Sequence, residues 1–142
     1  MLAIDLSGRV ALVTGAGRGI GFAIAAVLRE CGARVIVNDR GAEEAARAAA
    51  ALGAGTLALA GDVTDEGVCD GLPERCVAAA GRYDILVNNA GVAAQPRRTV
   101  KQSSADWQRT MDVNVRGTFM MSRAAARHFT AARGSCIVNI AS

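Results

Sequence analysis

Residues 10–21 read Val-Ala-Leu-Val-Thr-Gly-Ala-Gly-Arg-Gly-Ile-Gly. The apolar run Val10–Val13 has the length and composition of a buried strand. Thr14 ends it, and glycines follow at alternate positions: Gly15, Gly17, Gly19 and Gly21. Beyond them Ile20, Ile24, Val27, Leu28 and Cys31 recur at helical spacing, which predicts a helix over residues 20–31 with those side chains on its buried face. Strand, glycine turn and helix N-terminus in this order build an anion site. The glycines let backbone N–H groups approach a phosphate with no Cβ in the way. The helix end adds roughly half a positive charge and unpaired donors. A diphosphate suits that geometry. The spacing is not G-x-G-x-x-G, because counting from Gly15 puts Ile20 at the third glycine. It is Thr-Gly-x-x-x-Gly-Ile-Gly, from Thr14 to Gly21.

Working outward, further apolar runs occur at residues 34–38, 56–60, 85–88 and 136–140, with helical patterns at 42–52, 65–80 and 104–133 between them. The runs are mostly continuous rather than alternating, the pattern of strands covered on both faces. Strand–helix alternation of this kind predicts an α/β fold, a Rossmann-type doubly wound parallel sheet. At 142 residues the chain suits a single dinucleotide-binding domain over residues 1–142, with no linker long enough to divide it. Residues 92–101, with Pro96 and two arginines, are the expected irregular stretch.

Asp39 closes the second run, about 20 residues past the glycine turn. An acid there accepts hydrogen bonds from adenosine ribose hydroxyls. It also repels a 2′-phosphate: two unit charges about 4 Å apart interact by roughly 4 kcal/mol at an effective dielectric near 20. NAD is therefore the expected cofactor. Arg18 and Arg40 are expected to offset part of the repulsion, which keeps NADP admissible.

Composition excludes several classes. The net charge of +3 is mild and the arginines are scattered, so no nucleic-acid stripe is expected. No run of about 18 apolar residues offers a transmembrane helix. The N-terminus lacks a basic, signal-peptide-like start, and the expected compartment is the cytoplasm. The four cysteines form no Cys-x-x-Cys pair and only one histidine is present, so no metal site is expected. Cys31 and Cys136 lie in apolar patterns and read as inert core thiols. His128 reads as a structural or surface residue.

The last helix is long. Ser103 with Asp106 makes a capping box for its start. Trp107, Met111, Val115, Phe119 and Phe129 mark an apolar face, read as core or subunit interface rather than a ligand site. Asn114 interrupts that helix between two valines. Asn is a poor helix former, so it either faces solvent or bonds to something specific.

Taken together, these residues resemble the short-chain dehydrogenase/reductase family. Thr14 to Gly21 looks like its cofactor turn, with Gly15, Arg18, Gly19 and Ile20 at the binding positions. Asp62-Val63 resembles its adenine-contacting pair, and Asn88-Asn89-Ala90-Gly91 its signature tetrapeptide, which assigns Asn89, Ala90 and Gly91 to the cofactor. Trp107 and Asn114 keep the family's spacing, and residues 137–142 look like the fifth strand with the catalytic serine last, at Ser142. The resemblance implies an NAD(P)-dependent hydride transfer between nicotinamide and an alcohol or carbonyl substrate. Ser142 would hydrogen-bond the carbonyl oxygen and Asn114 would anchor a water in the proton relay. It also implies a homodimer or homotetramer formed through the helix from Ser104 to Arg133.

The family's Tyr-x-x-x-Lys pair has no counterpart in these 142 residues. The single tyrosine, Tyr83, opens the fourth strand, and the single lysine, Lys101, lies in the loop before the long helix. A positioned acid or base typically contributes 10²–10⁴-fold, so this stretch alone is expected to be inactive and to be the N-terminal part of a longer enzyme, its sheet truncated after an apolar fifth strand. Two other readings remain open here: a noncatalytic dinucleotide-binding or sensing module, and an interaction subunit.

Overall fold

A computed structural model of the chain describes residues 4–129 and 134–141. The strands β1 (Val10–Val13), β2 (Arg34–Asp39), β3 (Leu57–Ala60), β4 (Ile85–Asn88) and β5 (Cys136–Asn139) form one parallel sheet in the order β3-β2-β1-β4-β5. The helices are α1 (Gly19–Glu30), α2 (Ala42–Leu52), α3 (Glu66–Ala80), α4 (Ser104–Met111) and α5 (Thr118–Phe129). The expected strands are all present, with ends shifted by a residue at β2, β3 and β5.

The central strands β1, β2 and β4 are covered on both faces, as their continuous apolar runs require. Ala11, Val13, Val35 and Val37 pack on one side with Ala25 of α1 and Ala45, Ala48 and Ala49 of α2. Leu12, Ile36 and Leu86 pack on the other with Cys69, Leu72 and Cys76 of α3 and Met120, Met121 and Ala125 of α5. The chain builds outward from β1 to β3, then returns to place β4 on the other side of β1. That reversal leaves a crevice at the carboxyl ends of β1 and β4, where ligands of open α/β sheets bind.

Three expectations are corrected. The buried face of α1 is Gly21 and Ala25, with Ile24 and Leu28 half-buried, while Ile20 and Val27 are 68% and 57% exposed. The small residues let the helix lie close to the sheet, and Ile20 and Val27, on another side of the helix, turn outward. The long helix is not one α-helix: residues Asp112–Gly117 form a π-helical segment between α4 and α5. Of the two readings of its apolar face, core or subunit interface, core is removed for Trp107, Val115 and Phe119, which are 60%, 52% and 57% exposed, while Phe129 packs against a core cluster. Cys136 is exposed on β5 and Cys31 half-buried at the end of α1, so neither is a core thiol. Cys69 and Cys76 are the buried thiols, and burial pushes them up to about 11 and about 12. Within the irregular stretch Thr99–Lys101 forms a 3₁₀ turn.

The end of the sheet away from the crevice is tied by Asp84. Its carboxylate, buried just before β4, accepts from Val10 N–H at 2.8 Å and from Arg82 Nε at 2.7 Å, and pairs with Arg9. Burial pushes its pKa up, but the Arg82 hydrogen bond, the Val10 N–H and the two guanidinium charges outweigh that and hold it below the ordinary carboxylate value. A depressed native pKa stabilises the fold above the unfolded value near 3.9, and that stabilisation is lost as pH falls through the native value. Asp84→Asn is therefore expected to cost about 1.5 kcal/mol at pH 7. Urea unfolding between pH 2 and 7 checks this: the variant loses less stability than the parent below pH 4.

Candidate functional site

The crevice has a volume of about 640 Å³. Eight of the residues singled out in the sequence line it: Gly15, Arg18, Asp39, Arg40, Asp62, Val63, Ala90 and Gly91. Gly19, Ile20, Asn89 and Asn114 are not in its lining. Ser142 lies outside the described residues.

The turn from β1 to α1 is forced by contact as well as conformation. Gly15 has φ +61°, and a Cβ there would sit 2.8 Å from Ala90 Cα. Gly19 also has positive φ, with nothing within 4 Å of a Cβ. Gly21 lets α1 start against the turn, since a Cβ there would stand 2.5 Å from Gly15 O. Arg18 is the N-cap of α1 in extended backbone, and its side chain makes no capping hydrogen bond. By contrast α3 and α4 are capped, by Asp65 accepting from Val68 N–H and Ser103 accepting from Asp106 N–H. The first turn of α1 carries no acidic side chain either. The start of α1, next to the crevice residues Gly15 and Arg18, thus has no carboxylate or hydroxyl of its own on its N–H groups, which is what an incoming anion needs.

Asp39 stands beside this turn. One carboxylate oxygen accepts from Gly17 N–H at 3.0 Å and the other from Gly41 N–H at 3.4 Å. Asp39 is half-buried, and Arg18 and Arg40, which line the same crevice, are exposed. Farther along, Asp62 accepts from Thr64 N–H at 2.9 Å and from Thr64 Oγ1 at 2.7 Å, closing a local turn after β3. Val63 is buried beneath Gly117, where a Cβ would meet Val63 O at 3.1 Å.

Thr14 joins the two sides of the crevice, a role beyond ending the apolar run and opening the glycine motif. It is buried, and its hydroxyl accepts from Asn89 N–H and Ala90 N–H, both at 3.0 Å. Asn89 completes the tie by donating from Nδ2 to Thr14 O and Gly15 O. Its amide therefore holds the glycine turn against the loop after β4. Asn88, one residue earlier, donates to Ser122 Oγ and Asn139 Oδ1, fixing β4 to α5 and β5.

Asn114 sits in the π-helical segment, a distortion common at functional positions. The side chain is exposed yet fully engaged: Oδ1 accepts from Val92 N–H at 2.8 Å and Nδ2 donates to Val92 O at 2.9 Å. It pins the loop that follows Gly91. The crevice also takes Asn38, Gly61, Thr64 and Val92, together with Gln108, Arg109 and Asp112 from the long helix. The sequence singled out none of these three, and it is the tertiary placement of α4 that brings them to the crevice wall.

Tyr83 and Lys101 are remote from acid–base duty in the crevice. Tyr83 is 2% exposed, packed against the rings of His128 and Phe129, and precedes β4 at the opposite end of the sheet. Burial pushes its phenol well above the ordinary value. Lys101 is exposed on the 3₁₀ turn. Among the described residues no cluster of His, Cys, Asp and Glu is arranged to hold a metal, and no helix is long and apolar enough to cross a membrane.

Residues 9–142 match the family model described as short chain dehydrogenase. The chain is 43% identical over 140 residues to D-threitol dehydrogenase of Mycolicibacterium smegmatis, covering 96% of this chain and 54% of that protein. It is 40% identical over 136 residues to cis-4-hydroxycyclohexanecarboxylate dehydrogenase of Sinomonas cyclohexanicum, covering 94% and 55%. The solved structure of 3-ketoacyl-(acyl-carrier-protein) reductase from Brucella melitensis complexed with NADH superposes with a TM-score of 0.91 at 38% identity, over 97% of this chain and 58% of that one. The chain thus spans about half the length of the curated relatives it matches.

Proposed function

Because the chain belongs to the short-chain dehydrogenase/reductase family, we propose that its crevice holds a nicotinamide dinucleotide, NAD in preference to NADP, for oxidoreduction of an alcohol or carbonyl substrate. The observation that carries this reading is the uncapped N-terminus of α1, opened by Gly15 and Gly19 and flanked by Asp39. Bound there, the nicotinamide supplies the hydride exchange. The amides of Arg18, Gly19 and Ile20 bind the diphosphate, while those of Ala16 and Gly17 hold the turn to Asn38 and Asp39. Asp39 accepts the adenosine ribose hydroxyls and excludes a 2′-phosphate by charge. Asp62 and Val63 take the adenine, and Asn89, Ala90 and Gly91 border the remaining half. Ser142 orients the substrate carbonyl by donating a hydrogen bond, and Asn114 supports the proton path by fixing the loop at Val92. The proton donor belongs to the Tyr-x-x-x-Lys element, which these 142 residues do not contain; the stretch alone binds cofactor and turns over no alcohol.

Calorimetric titration with NADH and NADPH tests the reading. Saturable binding, tighter for NADH, with no turnover of a panel of alcohols, is the expected result. Absence of binding to either nucleotide overturns it.

The exposed stripe of Trp107, Val115 and Phe119 is the surface through which two or four copies associate in this reading. Large aromatic side chains bury 150–250 Å² each at an interface. Phe119→Glu is expected to shift the assembly to monomer in sedimentation velocity while leaving NADH affinity within about twofold.

A further inference from the structure

Every other residue of β2 between Arg34 and Asp39 is aliphatic: Val35, Ile36 and Val37. Asn38 breaks the pattern at a site only 1% exposed. A buried amide in a sheet interior is costly unless its hydrogen bonds are made. Here they are made on one side only. Nδ2 donates to Leu59 O at 2.9 Å and to Gly61 O at 3.2 Å, and Oδ1 is buried with no partner. The amide cannot be reversed, since its oxygen would then face two carbonyl oxygens. Its orientation is fixed by what the nitrogen holds.

What it holds is the position of the β3 exit. Leu59 lies in β3, and Gly61 immediately precedes Asp62 and Val63. A Cβ on Gly61 would meet Val68 Cγ1 at 2.6 Å, so this backbone is already pressed between α3 and β2. The main chain of the same strand end reaches the other parts of the crevice. Asn38 O accepts from Ala16 N–H at 2.9 Å, in the glycine turn, and Asp39 O accepts from Gly61 N–H at 3.0 Å. One strand end therefore ties the glycine turn through its backbone, and the β3 exit through both backbone and the Asn38 side chain.

We propose that Asn38 is a positioning residue for the adenosine half of the cofactor: its carboxamide sets the spacing between Asp39 and the Asp62-Val63 pair by clamping Leu59 O and Gly61 O. This rests on the dinucleotide reading above. Removing the side chain leaves the Ala16–Asn38 main-chain bond intact, so the diphosphate turn keeps its anchor while the adenosine wall loses its own.

The test compares AMP, which carries the adenosine half, with nicotinamide mononucleotide, which lacks it, on the full chain. Asn38→Asp keeps the shape but replaces the donor by an acceptor facing two carbonyls. Asn38→Ser keeps a smaller polar group and serves as the second variant. The expected result is an AMP dissociation constant raised about tenfold, with that of nicotinamide mononucleotide changed less than about twofold. A merely structural role would lower melting temperature and weaken both ligands alike, and that outcome overturns the proposal. So does AMP affinity equal to the parent's, or failure of both variants to fold. Failure of the parent chain to bind either nucleotide instead overturns the dinucleotide reading itself.

Discussion

Gly15→Ala is expected to weaken NADH binding at least about a hundredfold and to lower stability by about 3 kcal/mol. Two costs combine. A left-handed backbone at φ +61° disfavours any Cβ, and this Cβ would lie 2.8 Å from the main-chain Cα of Ala90. The obstacle is backbone, not a side chain that can swing away, so the turn and the loop after β4 must separate. That separation breaks the Thr14 and Asn89 hydrogen bonds between them. Gly19→Ala is the informative contrast. Its φ is also positive, but nothing lies within 4 Å of the added carbon. It is expected to cost only about 1 kcal/mol. Thermal melts and NADH titrations of the two variants check the difference; equal stability losses would contradict the contact argument.

Asp39→Ala is the second large effect. The parent Asp39 is half-buried beside the turn and shares the crevice wall with Arg18 and Arg40. Removing its carboxylate takes away the acceptor for ribose hydroxyls and leaves the two arginines with no acid opposing their attraction for a 2′-phosphate. NADH affinity should fall about tenfold, and NADPH affinity should rise, because a charge repulsion of roughly 4 kcal/mol at about 4 Å disappears. Part of the NADH loss comes from Gly17 N–H, which loses its partner at 3.0 Å. That part weakens both nucleotides equally, so the ratio of the two affinities is the quantity to measure. Equal losses for NADH and NADPH would contradict the role given to Asp39.

The sheet was legible because its central strands are short, apolar and buried on both faces, so Val10–Val13 and Ile85–Asn88 show up with no help from context. Misreading began where helix packing decides. The face of α1 was assigned to large apolar residues, whereas close approach to the sheet selected Gly21 and Ala25 and left Ile20 and Val27 outside. The π-helical segment leaves no mark in a hydrophobicity pattern, since it shifts register rather than composition. Asn114 did signal trouble there, as a poor helix former between two valines, but its partner Val92 lies 22 residues away. The ties made by Thr14 and Asn38 were invisible for a related reason. They run to residues on or just past neighbouring strands, and no local spacing encodes them. Cys136 failed differently: an apolar strand pattern implies burial only if something covers the strand, and among the described residues β5 pairs with β4 alone.

Amide resonances followed by ¹⁵N NMR during an NADH titration test the central claim most directly. If backbone N–H groups at the start of α1 hold the diphosphate, the largest shifts fall on Arg18, Gly19 and Ile20, with smaller ones at Asp39 and Val63. Shifts concentrated elsewhere, with those three amides unmoved at saturation, would contradict it.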